Sequence, residues 1–465
     1  MSAFVWTDER VRRALGLRLQ HAEEGVEYAG VSTDSRTVEE GDLYVALVGE
    51  RYDGHDFVAD ALSRGALGAV VSQPAAGDPA NVRLYPVDDT LVALGRLAHH
   101  RRQALSVPVV GITGSSGKTT TKDMAAAALS STLRVHATKA NLNNRIGMPL
   151  TVLSVPEDAE ALVLEMGTNE PGEIATLAQI ARPDVAVITT VGESHLEKLG
   201  SLEGVMEEKL QILRHMADAG RCVVGDEPPA LPERARKICD RVRVVGWSER
   251  ADEGSRPEHP DVDVFGKYAF DWRGQRVTAP MVGKHGVTNA LLALTVAELL
   301  GVSPRDAVRG LAATEHRALR TEFRRIGDLT LIVDCYNANP QSVRASLDVL
   351  EAQGVAARKV AVLGSMLELG DASSRLHREV LTDALARDVD LVAATGAFAQ
   401  AASELSDPRL LTGNEWADAY PRLRERLEGD EIILLKASRG VALEGILPLL
   451  EGDFGVAESD GQEVG

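Results

Sequence analysis

The chain has 465 residues, 44% of them hydrophobic and 26% charged, with a formal net charge of −19. That length exceeds what one core supports, so several domains are expected, and the acidic balance argues against a nucleic-acid backbone as partner while leaving room for a small anion in a local basic pocket. No apolar run reaches the roughly 18 residues that cross a bilayer, and Cys222, Cys239 and Cys335 are too scattered for a disulfide framework or a metal cluster, so free thiols and no membrane are expected.

In chain order, the opening MSAFVWTDERVRRALG reads as a short amphipathic helix without the apolar core of a cleavable leader, which points to the cytoplasm. From about Gly30 to Val87 the β-type runs LYVALVG, GAVVS and VRLYPV alternate with the helical FVADALSRGA, giving a small α/β unit, and a helix from about Leu91 to Leu105 leads out of it. At Pro108 strong βα alternation begins: VVGIT, TKDMAAAALSSTL, ALVLEM, EIATLAQIA, VAVITTV and GVMEEKLQILRHM. Such alternation means a mostly parallel sheet covered by helices. SERADEGSRPEHPDVDV reads as a surface loop and GVTNALLALTVAELLG as a strongly apolar helix closing the central unit. A third α/β unit starts near Arg320, with LTLIVD, KVAVLG, DLVAAT and EIILLK as buried strands, and the Gly-rich acidic tail after Leu450 is expected to fray. The expected fold is therefore α/β with three domains, 1–105, 106–316 and 317–465, the central one a P-loop-type mostly parallel sheet between two smaller α/β domains. No internal repeat is visible.

VVGITGSSGKTTTKD, Val109 to Asp123, carries the most chemistry. An apolar strand enters a Gly/Ser turn and leaves through Lys-Thr-Thr into a helix, which is how backbone N–H groups and a helix N-terminus are brought around a polyphosphate. Gly114, Ser115, Ser116, Gly117, Lys118, Thr119 and Thr120 are the candidate nucleotide contacts, with Lys118 a point charge and Thr119 a magnesium ligand. The loop is a variant, because the glycine of the usual spacing falls on Ile112, flanked by Gly111 and Gly114. Glu165, at the end of ALVLEM, stands where open α/β sheets bind ligands and can hold magnesium; by itself it also reads as an exposed strand-end acid. His195 after VAVITTV, by itself, reads as structural, and Lys209 in MEEKLQI as a solvated charge paired with Glu207 or Glu208.

Taken together, VSTDSRTVEEGDLYVAL with DGHDFV, GSSGKTTTKD, NLNNRIGMPLTVL, EMGTNEPGEI, SHLEKLGSLEGVMEEK, GKHGVTNALLAL, DCYNANPQSV, GSMLELG and LLKASRG resemble, in order and spacing, the Mur ligases of peptidoglycan assembly. The resemblance runs almost the full length. It implies a cytoplasmic ATP-dependent ligase of cell-wall synthesis, tied to cell shape and division, that uses magnesium and an acyl-phosphate intermediate. Lys118 and Thr119 then hold the ATP γ-phosphate and magnesium. Glu165 shares that metal, His195 serves a second, and Lys209 is the lysine that becomes a carbamate ligand. Asn289 matches an adenine contact, and Arg320 and Asp334 match residues that reach ATP when domains close. Asp34, Ser35 and Arg36 resemble the uridine-nucleotide contact. Tyr336, Asn337, Asn339, Lys436, Ser438 and Arg439 fall in segments resembling the members that add D-Ala-D-Ala to UDP-N-acetylmuramoyl-tripeptide, with Lys436 or Arg439 a charge for the dipeptide carboxylate.

The chain departs from the family pattern at Gln211, Leu319, Val333, Cys335 and Ala437, where glutamate, glycine, aspartate, serine and glycine are common. A member adding diaminopimelate or lysine would carry a DNPR-type motif, which is missing here. A P-loop ATPase that switches without ligation would need neither the uridine-nucleotide segment nor a lysine such as Lys209. Because the nucleotide and dipeptide motifs lie on different expected domains and an acyl phosphate must be kept from water, an open form without ligands is expected, and the chain is expected to be a monomer.

Overall fold

The computed structural model describes residues 4–73, 83–315, 318–354, 357–403 and 405–455. Strand Val109–Thr113 lies inside a six-stranded sheet ordered Val242–Val245, Arg221–Gly225, Val185–Ile188, Val109–Thr113, Ala161–Glu165, Val135–Ala137, every pair parallel. Its inner strands are uninterrupted apolar runs because both faces are covered. Val110, Ile112, Val163 and Val187 pack with Met124, Ala128, Leu291 and Leu294 of helices Lys118–Ser130 and Gly283–Leu299. Leu162, Leu164 and Ile188 belong to the opposite core, with Ile174, Leu177, Leu210 and Leu213 of helices Glu173–Ala181 and Leu202–Arg214. The chain runs from Val109–Thr113 to one edge, returns, and continues on the other side. That reversal opens a crevice at the strands' carboxyl ends.

Before this sheet lies a parallel four-stranded one, Val31–Ser32, Leu43–Val45, Gly68–Val71 and Arg83–Pro86. Helix Thr90–Ala104, capped by Asp89, ties it to the central unit by packing on helices Gly147–Leu153 and Glu173–Ala181. After it, strands Glu322–Ile326, Leu329–Asp334, Ile432–Lys436, Lys359–Leu363, Leu391–Thr395 and Leu410–Gly413 form a third sheet, antiparallel only at its first pair. The architecture is thus α/β in three parts with mostly parallel sheets. No helix among the described residues is long and apolar enough to cross a membrane.

Two local expectations are corrected. The segment read as a surface loop contains strand Glu258–Val262, which pairs with Tyr268–Trp272 in a three-stranded antiparallel sheet. All its residues are exposed, so no hydrophobic alternation marks it, and backbone pairing alone makes it a strand. The tail expected to fray after Leu450 stays helical to Phe454, in Leu447–Phe454, because Leu447 and Leu450 are buried in the third core; its remainder, 456–465, lies outside the described residues.

Candidate active site

At the carboxyl end of Val109–Thr113 the chain turns through Gly114 at φ +149° and Gly117 at φ +78°, and helix Lys118–Ser130 begins. A Cβ on Gly114 would lie 1.9 Å from Thr189 Oγ1, and one on Gly117 2.6 Å from Asn289 Oδ1, so both backbone angle and space require glycine. Ser115 is tied from beneath: its N–H donates to Thr190 O (2.9 Å) and its hydroxyl to Gly192 O (2.9 Å). Lys118 folds back to donate to Gly114 O at 2.8 Å. Burial pushes its amine down, and Glu165 opposes that shift while Arg320 adds to it.

Thr119 donates to Glu165 Oε1 (3.1 Å), and Asn143 Nδ2 donates to the same oxygen (2.7 Å). Glu165 is 1% exposed, and its other oxygen, Oε2, is buried without a partner. The exposed strand-end reading of Glu165 is therefore wrong. A lone carboxylate oxygen beside a threonine hydroxyl is a hard-oxygen set that suits magnesium. Among the described residues, however, no three His, Cys, Asp or Glu side chains gather as a ready-made metal cluster.

Lys209, on helix Leu202–Arg214, is 1% exposed, not solvated. Its neighbours in sequence are engaged elsewhere: Glu208 accepts the N–H groups of Gly172 and Ile174 at the start of helix Glu173–Ala181, both at 2.8 Å, and Glu207 pairs with Arg214 and Arg234. Burial, and then Lys118, hold the Lys209 amine well below the lysine range, against Glu208 and Glu173. Burial thus favours the neutral amine, the form that can take up carbon dioxide. His195 caps the short helix Leu196–Leu199 at φ +53°, and its Nδ1 lies 2.6 Å from Glu368 Oε2 of the third domain. Glu368 was not singled out in the sequence, where GSMLELG carries no sign of its partner.

The third domain meets the phosphate loop elsewhere too. Arg320 Nη2 donates to Thr119 Oγ1 (3.2 Å) while its guanidinium lies 3.9 Å from the centre of the Tyr336 ring. Asn339 Nδ2 donates to Ser115 O (3.4 Å), and Gln341 Nε2 to Thr190 Oγ1 (2.9 Å). Leu319 and Thr321, on either side of Arg320, have φ of +62° and +49°. Leu319, where the resemblance leads one to expect glycine, thus adopts a backbone that favours glycine. Lys436 Nζ donates to Asp334 Oδ2 (2.6 Å) and Asn337 O (2.9 Å). Burial pushes Asp334 up, but Lys436 and the Ser346 hydroxyl outweigh it and hold the carboxyl down. His285, also missed from the sequence, lies close enough to this pair to sense both charges, and burial lowers it.

These groups surround one cleft of about 1160 Å³. Ser115, Ser116, Gly117, Lys118, Thr119, Thr120, Glu165, His195, Asn289, Arg320, Asp334, Tyr336, Asn337, Asn339 and Lys436 line it. Asn289 is also anchored by the Thr121 hydroxyl at 3.3 Å. Gly114, Lys209, Ser438 and Arg439 lie outside its lining. Ser438 is 4% exposed and holds Leu367 N–H at 3.0 Å, while Arg439 pairs with Glu444. Asp34, Ser35 and Arg36 are in the first domain, also outside this lining, where Arg36 pairs with Asp34 at 2.6 Å and holds its carboxyl at about 2.

Compared with known proteins, the chain matches the Mur ligase family, catalytic domain, over residues 27–102, the Mur ligase middle domain over 112–297 and the Mur ligase, glutamate ligase domain over 319–439. The chain belongs to the Mur ligase family. Among curated relatives, this Mur ligase is 38% identical to UDP-N-acetylmuramoyl-tripeptide--D-alanyl-D-alanine ligase of Bacillus subtilis, over 90% of the chain and 92% of the relative. It is 33% identical to the Escherichia coli protein of the same name, over 90% and 93%. Crystal structure I of MurF from Acinetobacter baumannii has a TM-score of 0.88 at 32% identity, covering 97% of the chain and 100% of that structure. Crystal structure II scores 0.79 at 31% identity, with 97% and 100% covered. The Thermotoga maritima MurF ligase in complex with ADP scores 0.80 at 29% identity, with 91% and 97% covered.

Proposed function

We propose that this Mur ligase joins D-Ala-D-Ala to UDP-N-acetylmuramoyl-tripeptide at the expense of ATP, through an acyl phosphate, in cytoplasmic peptidoglycan precursor synthesis. The observation that carries the reading is a phosphate loop contacted by the third domain in a chain 38% identical, nearly end to end, to a relative named for that reaction. A carboxylate is a poor electrophile in water. Transfer of the γ-phosphoryl to the tripeptide's terminal carboxylate breaks the bond to ADP and makes an acyl phosphate. The dipeptide amine then attacks the acyl carbon, and phosphate leaves as the amide forms.

Phosphoryl transfer depends chiefly on positioning and charge neutralisation. Gly114–Thr120 would cradle the nucleotide, Lys118 would draw the γ-phosphate, Asn289 would meet the adenine, and Arg320 and Asp334 would approach from the third domain. Thr119 and Glu165 would hold one magnesium ion, and His195 with Lys209 as a carbamate a second; bound there, the ions would neutralise phosphate charge. Carbamate formation joins the Lys209 nitrogen to carbon dioxide and releases a proton, leaving an anionic oxygen ligand. Tyr336, Asn337, Asn339, Lys436, Ser438 and Arg439 form the dipeptide side of the reading. Lys436 and Arg439 already have acidic partners, so a dipeptide carboxylate would have to compete with Asp334 or Glu444 for them. Asp34, Ser35 and Arg36 form the uridine-nucleotide side. Domains 1–105, 106–316 and 317–465 would divide these tasks in a monomer.

The test is phosphate release by the purified chain. It is expected to require ATP, the UDP-tripeptide and D-Ala-D-Ala together; release independent of either peptide substrate would refute the ligase.

A further inference from the structure

We propose that Glu368 is a positioning residue for His195: its carboxylate accepts the imidazole Nδ1–H across the domain boundary and leaves the Nε2 lone pair as the ring's ligating atom. This rests on the assignment of His195 to a cation made above. It deepens that reading by making the second cation site complete only when the third domain is docked.

The contact is built, not incidental. Besides the 2.6 Å approach of the side chains, Glu368 O accepts the Glu197 N–H at 3.1 Å, so backbone and side chain both cross the boundary. His195 and Glu368 both take left-handed backbone angles, φ +53° and +64°, which residues with a Cβ rarely adopt. Gly370, at φ +52°, lets the loop come close: a Cβ there would lie 3.0 Å from Glu197 Cα. Helix Leu196–Leu199 packs on the turn Gly370–Ala372.

The loop is also held from behind. Ser365 Oγ accepts Ala397 N–H (2.9 Å), His377 Nε2 accepts Met366 N–H (2.9 Å), and Ser438 Oγ accepts Leu367 N–H (3.0 Å). A partly exposed ion pair that merely decorated the surface would need none of this bracing. His195 lines the cleft while its Nδ1 is taken by the carboxylate. That is the second-sphere arrangement by which a carboxylate fixes the tautomer and the ring orientation of a ligating histidine.

The experiment compares wild type, Glu368→Ala and Glu368→Gln by Mn²⁺ titration followed by electron paramagnetic resonance, by thermal unfolding and by steady-state kinetics. Glu368→Ala is expected to weaken binding of one Mn²⁺ and to lower kcat, each about 10–100-fold, with KM for the UDP-tripeptide and Tm unchanged. Glu368→Gln, whose amide oxygen can still accept the Nδ1–H, is expected to recover part of both. Wild-type Mn²⁺ affinity in Glu368→Ala overturns the proposal, and so does a loss that tracks a falling Tm in both variants. Absence of substrate-dependent phosphate release in wild type would instead fail the ligase reading itself.

Discussion

Lys209 shows how a residue that is ordinary in sequence becomes costly and useful once buried. The folded chain disfavours its proton, whereas the unfolded chain binds it up to the ordinary value of 10.5. Between the depressed folded value and 10.5 the unfolded state therefore holds more protons, and stability rises with pH across that window. In carbon-dioxide-free buffer Lys209→Met should raise Tm, most at the low-pH end, with the gain shrinking as pH approaches 10.5. A lower Tm at neutral pH would show that the amine is paid for by contacts of its own. The same position should lose turnover as Lys209→Ala and regain part of it with added short carboxylates; full activity without rescue would remove its role as an oxygen ligand.

At the scale of elements, parallel register explains why segments a hundred residues apart meet. Asp334 pairs with Lys436 between strands Leu329–Asp334 and Ile432–Lys436, and Leu363 pairs with Lys436 on the other side. DCYNANP, GSMLELG and LLKASRG consequently leave three adjacent strands at the same end, toward the phosphate loop. The Asp334–Lys436 pair at their root, with Lys436 buried, tests this packing. Lys436→Met would leave the part-buried Asp334 without its cationic partner, the Ser346 hydroxyl alone still donating to it, and a loss of at most about 3–5 kcal/mol is expected in thermal or denaturant unfolding. Little change in stability would mean that the two charges are not coupled as their 2.6 Å contact implies.

For the whole molecule, the third domain is docked: Arg320, Asn339, Gln341 and Glu368 all reach the central domain. These polar contacts tie the third domain to the rim of the cleft that the two domains share. Leu319 and Thr321, on either side of Arg320, have left-handed backbone angles where the chain enters the third domain. Small-angle scattering should show a smaller radius of gyration with a non-hydrolysable ATP analogue and UDP-tripeptide than without them; superimposable profiles would count against closure as part of the cycle.

The amino-acid order alone determined the strand, turn and helix of Gly114–Thr120, because that motif is written in consecutive residues whose glycines and lysine have local reasons to be there. It also made the α/β character legible through buried apolar runs, and it missed strand Glu258–Val262, whose exposed residues carry no periodic signal. Only the tertiary structure decided the burial of Lys209, the unpartnered oxygen of Glu165 and the meeting of His195 with Glu368. Burial and distance between residues remote in the chain control each of these, and neither is a property of any one stretch of sequence.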